Sequence, residues 1–331
     1  MQISTVAAAL ALTLLTAAAP ARAQAEAPAG VRATGMGGAF VAVADDASAA
    51  FWNPAGLASG SYLSLAIDTN HLNTADGSSF PHDRSALMIA LGTPALGLSY
   101  FTNTVTRASE IIAPAGLNAA GAFRVERLET RHVGATVVQS LTQHLAAGAT
   151  VKLVRGSASA GLVPTTDPSS FDRAGELFPQ KAATKVDADF GLMLSGAVGK
   201  AGIAVRNAFE PAFATPEGLS IPLERRIRGG FSVLLLEAIT VAADVDFTRA
   251  STTRGEWRDA ALGAEGRLTR KAYVRSGVHW NTAGSDGPGA APVLSVGGSY
   301  AVYGSVLADA QLSVGSDNGD TGWGVGLRFI F

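Results

Sequence analysis

Apolar and polar residues alternate along much of this chain with a period of two, and no other feature of the sequence restricts its fold as much. In 185–198, Val186, Ala188, Phe190, Leu192 and Leu194 share one parity; Lys185, Asp187, Asp189 and Ser195 share the other, with Met193 as the exception. Val241, Ala243, Val245 and Phe247 alternate in the same way with Ala242, Asp244, Asp246 and Thr248. Near the end, Ala308, Ala310, Leu312 and Val314 alternate with Asp309, Gln311 and Ser313. Successive strand residues point to opposite faces, whereas a helical stripe does not hold this parity. Charged residues are only 16% of the chain, against about 25% in soluble domains. Beyond residue 19 no run is apolar for the roughly 20 residues that a membrane-crossing helix takes. Apolar content spread thinly at period two suits a wall with lipid on one side and a wet interior on the other.

The alternation and the turn residues between stretches predict fourteen strands: 61–69, 85–91, 95–107, 122–139, 145–157, 185–198, 201–213, 221–235, 238–250, 256–268, 272–284, 291–302, 304–316 and 322–331. An even number is what single-chain bacterial barrels have. The connections alternate in length. Tight turns are expected at Gly92-Thr93-Pro94, Thr142-Gln143-His144, Gly199-Lys200, Leu235-Leu236-Glu237, Arg270-Lys271 and Gly304; longer links at 70–84, 108–121, 158–184, 214–220, 251–255, 285–290 and 317–321. Short turns at one rim and long loops at the other are the outer-membrane pattern. The fold class is therefore all-β, a transmembrane antiparallel up-and-down barrel of about 14 strands.

Both ends of the chain agree with that route. Val6 to Ala19 is small and apolar, Pro20 breaks it, and Ala21-Arg22-Ala23 fits the small-x-small cleavage rule, so 1–23 reads as a signal peptide. At the other end Trp323, Val325, Leu327, Phe329 and Phe331 share one face, while Gly324, Gly326 and Arg328 share the opposite one. A last strand ending in Phe331 resembles the signal by which outer-membrane barrels are assembled, carried here by Trp323, Leu327, Phe329 and Phe331. It implies two partners, the barrel assembly machinery and outer-membrane lipid. An apolar edge strand left open would invite aggregation, and closure into a barrel removes the edge.

Between the signal and the first strand lies a block running from Arg32 to Ala58, Arg-Ala-Thr-Gly-Met-Gly-Gly-Ala-Phe-Val-Ala-Val-Ala-Asp-Asp-Ala-Ser-Ala-Ala-Phe-Trp-Asn-Pro-Ala-Gly-Leu-Ala. Its core, Asp45-Asp46-Ala47 followed by Asn53-Pro54-Ala55, resembles the N-terminal segment of the PorV/PorQ proteins within the FadL-type barrel superfamily. Gly263-Ala264-Glu265 and Val205-Arg206-Asn207 are weaker matches. The resemblance implies a fourteen-stranded barrel whose N-terminal segment, 24–60, folds into the lumen as a hatch, with the barrel itself at 61–331. Asp45, Asp46, Asn53, Pro54, Ala55 and Gly56 are the residues it marks for hatch or gating roles. Physically the segment suits the place: it is small, glycine-rich and apolar, its two aspartates can accept from backbone amides or lumenal arginines, and Pro54 restricts Asn53 to an extended or turn conformation. The same residues also read as a simple turn into the first strand.

Parity points Lys152, Asp187, Asp189, Arg206, Arg226, Arg228, Asp244, Asp246, Glu265, Arg267, Arg275, Asp309 and Arg328 into the lumen. Unpaired charge there would be costly, so mixed signs argue for pairing that knits barrel and hatch together. Arg226, Arg228, Arg275 and Glu265 are the candidates for pairing with the hatch, the arginines also for meeting the anionic head of a ligand. FadL-type barrels imply passage of small hydrophobic compounds such as fatty acids, with a hydrophobic ligand or detergent in the lumen; PorV-type barrels imply a non-transporting partner in protein secretion or surface assembly.

Other classes are disfavoured. The formal charge of −2 supplies no basic patch for nucleic acid. With no cysteine there is no thiolate catalysis, disulfide or Cys-held metal. There is no Gly-x-Ser-x-Gly, and Gly35-x-Gly37-Gly38 follows no strand, so neither an esterase nor a nucleotide fold is indicated. His71 with His82 and Asp83 lacks metal-ligand spacing, and Asp317-Asn318-Gly319-Asp320 reads as a hairpin turn. No enzyme, metal or cofactor is expected.

Overall fold

The computed structural model describes residues 29–73, 82–110, 123–163, 169–252, 255–283, 292–315 and 321–331. Fourteen strands form a closed barrel in which every neighbouring pair is antiparallel. In chain order they are β1 (Ser64–Asn73), β2 (His82–Gly92), β3 (Leu96–Glu110), β4 (Phe123–Ser140), β5 (Leu145–Val163), β6 (Lys181–Ser195), β7 (Gly199–Arg206), β10 (Arg226–Leu235), β11 (Ile239–Asp246), β14 (Asp259–Arg267), β15 (Ala272–Asn281), β16 (Val293–Tyr303), β17 (Val306–Gly315) and β18 (Thr321–Ile330). Each corresponds to one of the fourteen strands expected from the alternation. Two small hairpins interrupt the up-and-down order, β8 (Ala212–Ala214) with β9 (Ser220–Pro222) and β12 (Ala250–Thr252) with β13 (Gly255–Trp257). β18 closes on β1, and Phe331 and Leu63 exchange backbone hydrogen bonds at the seam.

Side-chain parity separates the two faces. On β4, His132, Gly134, Thr136 and Val138 are buried while Val133, Ala135 and Val137 are exposed. On β6, Val186, Phe190, Leu192 and Leu194 are exposed, and Asp187, Asp189 and Met193 are buried. Met193 is therefore no break in the pattern: it faces inward and packs with Ala55 and Ala146. Outward-facing Ile203, Phe231, Val241, Leu262, Leu294, Leu312, Trp323 and Leu327 are all exposed. Large apolar side chains on the outside and buried Asp, Lys and Arg on the inside invert the order of a soluble sheet, and make lipid the solvent of the outer face.

The wall is uneven in height. Strands β3 to β6 run 15 to 19 residues, and the other ten 8 to 11. A tilted crossing strand takes about 9–11 residues, so β3 to β6 extend past the bilayer on the long-loop side. Between β5 and β6 the chain forms a helix, α3 (Ser169–Leu177), which lies on the outer face of this extension: Phe171 packs with Ala108 and Val125, and Ser159 Oγ donates to the Gly175 carbonyl at 2.9 Å. Two earlier helices, α1 (Val31–Gly35) and α2 (Ala49–Trp52), belong to the N-terminal segment.

Two sequence expectations need correction. The turn expected at Gly199-Lys200 is at 196–198, closed by the Gly196 amide on the Gly199 carbonyl at 2.8 Å. Lys200 faces inward at the short-turn rim and reaches Ser59 Oγ at 3.3 Å, a role for a polar residue that parity alone reads as turn. The expected strands 201–213 and 221–235 each absorb a piece of the β8–β9 hairpin. Asn207 and Glu210, with φ of 52° and 50°, turn the chain between β7 and β8 without a glycine to signal it. The leader 1–23 and the turn 317–320 lie outside the described residues.

Candidate functional site in the barrel lumen

Residues 29–59, including α1, α2 and the 3-10 helix Pro54–Ser59, pack against inward-facing side chains around the barrel and are almost all buried. Composition makes this possible on both partners. Gly263 of β14 and Gly277 of β15 are cross-strand neighbours, and the backbone of Met36 and Gly37 lies directly on them; a Cβ at either glycine would run into it. Gly37 itself sits at φ 65°, where an L side chain is strained. A second pair, Gly148 of β5 and Gly191 of β6, seats Pro54 and Ala55. Backbone thus meets backbone where two bare pairs in the wall leave room.

Asn53 is the polar anchor of the second seat. Its Nδ2 donates to the carbonyls of Val41 and Leu192 at 3.0 and 3.1 Å, and its Oδ1 accepts from the Ala55 amide. Pro54 opens the short helix, where its missing N–H costs nothing, and Gly56 lies against the Ala44 carbonyl, where no side chain fits. The turn reading and the lumenal reading of Asn53-Pro54-Ala55-Gly56 describe the same structure.

On the opposite side the segment is held by charge. Arg32 of α1 is the hub. Its Nη1 reaches Asp45 at 2.5 Å and Asp46 at 3.0 Å, and its Nε and Nη2 grip Glu265 of β14 at 2.9 and 2.7 Å. Glu265 also receives Arg275 Nε at 2.5 Å, and Arg275 contacts Ser299 and Asp309. Arg328 closes the web, bidentate on Asp309 and 3.1 Å from Asp46. Burial alone would raise the Asp46 carboxyl, but Arg32 and Arg328 outweigh it, with the Ser48 hydroxyl helping, and hold it at about 2. Asp244 of β11 adds a tie to the backbone, accepting from the amides of Phe40 and Val41 at 2.8 and 2.9 Å.

Of the other expected lumenal charges, three cations pair within the wall, whereas Arg267 is exposed. Arg226 lies 2.6 Å from Asp246 and 3.2 Å from Asp259; Arg228 lies 3.2 and 3.0 Å from the same two carboxylates. Lys152 of β5 is enclosed by Asp187 and Asp189 of β6 and by Asn207. Beside it a cavity of about 20 Å³ opens between α2 and the wall from β2 to β7, lined by Phe51, Met88, Ala90, Phe101, His132 and Arg206 among others. Phe51 stacks edge-on against Phe101 at 4.8 Å between centroids, and the Arg206 guanidinium lies 3.5 Å over its ring. The cavity has room for a water molecule and not for an aromatic ring.

Toward the long-loop rim the β8–β9 hairpin folds inward. Phe213, Ile221 and Leu223 bury themselves against inward-facing Leu128, Val154 and Ala158, with the Phe213 ring on Gly156. Trp323, Leu327 and Phe331 face outward and exposed, while Phe329 is half-buried and pairs with Leu65 and Val306. Among the described residues no cluster of His, Asp or Glu has the arrangement of a metal site. The residue that sequence reading passed over is Arg32. It is the only cation in the block 32–58, facing two aspartates thirteen and fourteen positions on, and that isolation was the available signal.

No protein-family model and no curated protein sequence matches the chain. Solved structures do resemble it. The toluene transporter TbuX of Ralstonia pickettii superposes with a TM-score of 0.63 at 15% identity, over 92% of this chain and 98% of that one. The CymD monoaromatic hydrocarbon channel gives 0.64 at 16%, over 91% and 97%. A Pseudomonas aeruginosa FadL homologue gives 0.59 at 10%, over 94% and 100%. At such identities the likeness is one of architecture: this chain has the FadL-type fold, a closed fourteen-stranded barrel.

Proposed function

We propose that this protein mediates passage of small hydrophobic compounds across an outer membrane, with residues 24–60 acting as a hatch in the barrel 61–331 and the leader 1–23 removed on export. The observation that carries this reading is the cavity beside Phe51. The gap lies where an apolar wall of Met88, Ala90 and Phe101 meets Lys152 and Arg206, suited to a guest with a hydrophobic body. The gap is too small for such a guest, so passage requires part of 29–59 to move. Asp45, Asp46 and Asn53 are the ties that set how easily it moves, and Pro54, Ala55 and Gly56 are the close-fitting seat. The similar channels carry toluene and monoaromatic hydrocarbons, which supports the same substrate class here. Catalysis has no part in this reading.

The test is uptake of radiolabelled toluene and a long-chain fatty acid by cells with and without the protein, alongside cells making Asn53→Ala. Protein-dependent uptake that changes with Asn53→Ala is expected. A correctly inserted barrel that takes up neither compound, and stays silent when 24–58 is deleted, overturns the reading. That result favours the second one, a PorV-like partner in secretion or surface assembly, whose support is the Arg32-to-Ala58 block and the ion pairs that lock it in place.

A further inference from the structure

The outer wall carries a second polar feature, independent of what passes through the lumen. Among residues whose side chains are described, outward-facing positions of the barrel strands bear Lys, Arg, Asp or Glu only on β4 and β5: Arg127, Glu129, Arg131 and Arg155. Arg127 is engaged by Glu176 of α3 at 3.3 Å. Arg131 and Arg155 are direct cross-strand partners. Like charges placed opposite each other destabilise a sheet unless an anion joins them. Glu129 neutralises Arg131 alone, accepting from its Nε and Nη2 at 2.9 and 2.8 Å, while Arg155 has no ion pair or hydrogen bond among the described residues. A net positive charge remains on a surface whose other described outward positions are uncharged.

Their height on the wall gives the pair a meaning. One step along the strands toward the short-turn rim, Val133 and Leu153 are paired and exposed, with Tyr100 beside them; there the apolar band ends. One step the other way, Ser157 Oγ meets Gln180, and α3 covers the wall beyond. Thr102 and Thr184 flank the arginines in register. Two guanidiniums and two hydroxyls thus line a niche with a helix as roof and the bilayer edge as floor. Planar guanidiniums match phosphate oxygens in pairs, and at this height the phosphate in reach is that of a lipid headgroup. We infer that Arg131 and Arg155 bind the phosphate of a phosphorylated lipid in the leaflet on the long-loop side, the outer leaflet in barrels of this pattern.

The experiment uses the full barrel purified in detergent, with lipid adducts counted by native mass spectrometry as a diphosphorylated lipid A, its fully dephosphorylated form or inorganic phosphate is added. Retention of one diphosphorylated lipid is expected, with at least a tenfold weaker affinity for Arg155→Gln, partial rescue by Arg155→Lys, and no change for Arg249→Gln in a distant loop. Heat-modifiable gel mobility checks that each variant remains a folded barrel; if Arg131→Gln does not, because Glu129 is left unpaired, Arg155→Gln alone decides. Equal binding of the dephosphorylated lipid, or unchanged affinity in folded Arg155→Gln, overturns the inference. So does saturation of the site by inorganic phosphate with no preference for the lipid. None of these results depends on whether the lumen transports.

Discussion

The two walls that grip residues 29–59 use different physics. Toward β14–β18 the charges cross the boundary: Arg32 reaches from the segment to Glu265, and Arg328 from the wall to Asp46. Toward β2–β7 no ion pair crosses it among the described residues; Arg206 meets the Phe51 ring and Lys200 the Ser59 hydroxyl. Lys152, Asp187 and Asp189 satisfy one another within the wall, and the segment touches that side through Asn53, Ala55 on Met193, and Phe51 on Phe101. A buried ion pair fails abruptly when one partner goes, because the other is left charged and unsolvated. An apolar contact gives way by degrees and tolerates a foreign apolar group in its place. The charged side is therefore the firmer attachment, and under the proposed passage of hydrophobic compounds the apolar side, where the cavity lies, is the one to yield.

The largest effects come from cutting charge on each side. Arg32→Met takes one partner each from Asp45, Asp46 and Glu265, leaving Asp46 with Arg328 and Glu265 with Arg275, and should cost the segment's attachment about 3 kcal/mol. The barrel should still insert and keep its heat-modifiable mobility, while limited proteolysis cuts within 29–59. Lys152→Met strands Asp187 and Asp189 at a similar cost, but in the wall. Its expected signature is the reverse: a lower barrel unfolding temperature with the segment still protected. If the two variants give the same pattern, the division between the walls is wrong.

Much of this was legible in the chain and some was not, for definable reasons. Alternation located every barrel strand because lipid and lumen sort side chains by parity, although Met193 stood out as an exception until the structure showed its inward partners. It could not place the β8–β9 hairpin: Phe213 and Ile221 keep the alternation of the strands beside them while the backbone turns at Asn207 and Glu210. Helix α3 was hidden for a related reason, since a short surface helix with one buried aromatic, Phe171, carries little periodic signal. Within the lumen, parity named the charged residues but not their partners. Arg275 and Glu265 join Arg32, whereas Arg226 and Arg228 turn to Asp246 and Asp259, and that choice rests on register between strands far apart in sequence.

A smaller but more informative change is Phe51→Ala. It removes a ring that lines the cavity and packs against Phe101 and Arg206, at a cost of about 3 kcal/mol. The larger gap should raise toluene uptake above that of the unaltered protein while Arg32 still holds the segment. Greater proteolysis within 29–59 without any rise in uptake would mean that the apolar side is also an attachment and not the yielding wall.

The smallest effects separate the two aspartates that share Arg32. Asp46 is buried and held at about 2, below its ordinary 3.8. A depressed carboxyl contributes attachment that is complete above the ordinary value and is lost only as pH falls through the lowered one. Pepsin digestion from about pH 4 down to about pH 2 should therefore leave the segment protected until the lower end, and Asp46→Asn should expose it throughout. Asp45 is 38% exposed on its side chain, although its contact with Arg32 is the shorter, 2.5 against 3.0 Å. Water screens such a pair, so Asp45→Asn should weaken attachment by less than about 1 kcal/mol and leave the pepsin profile nearly unchanged. If Asp45→Asn instead matches Arg32→Met, contact distance outranks burial at this site, and the fixed attachment lies within the segment, between Arg32 and Asp45, and not across the boundary to β14 and β18.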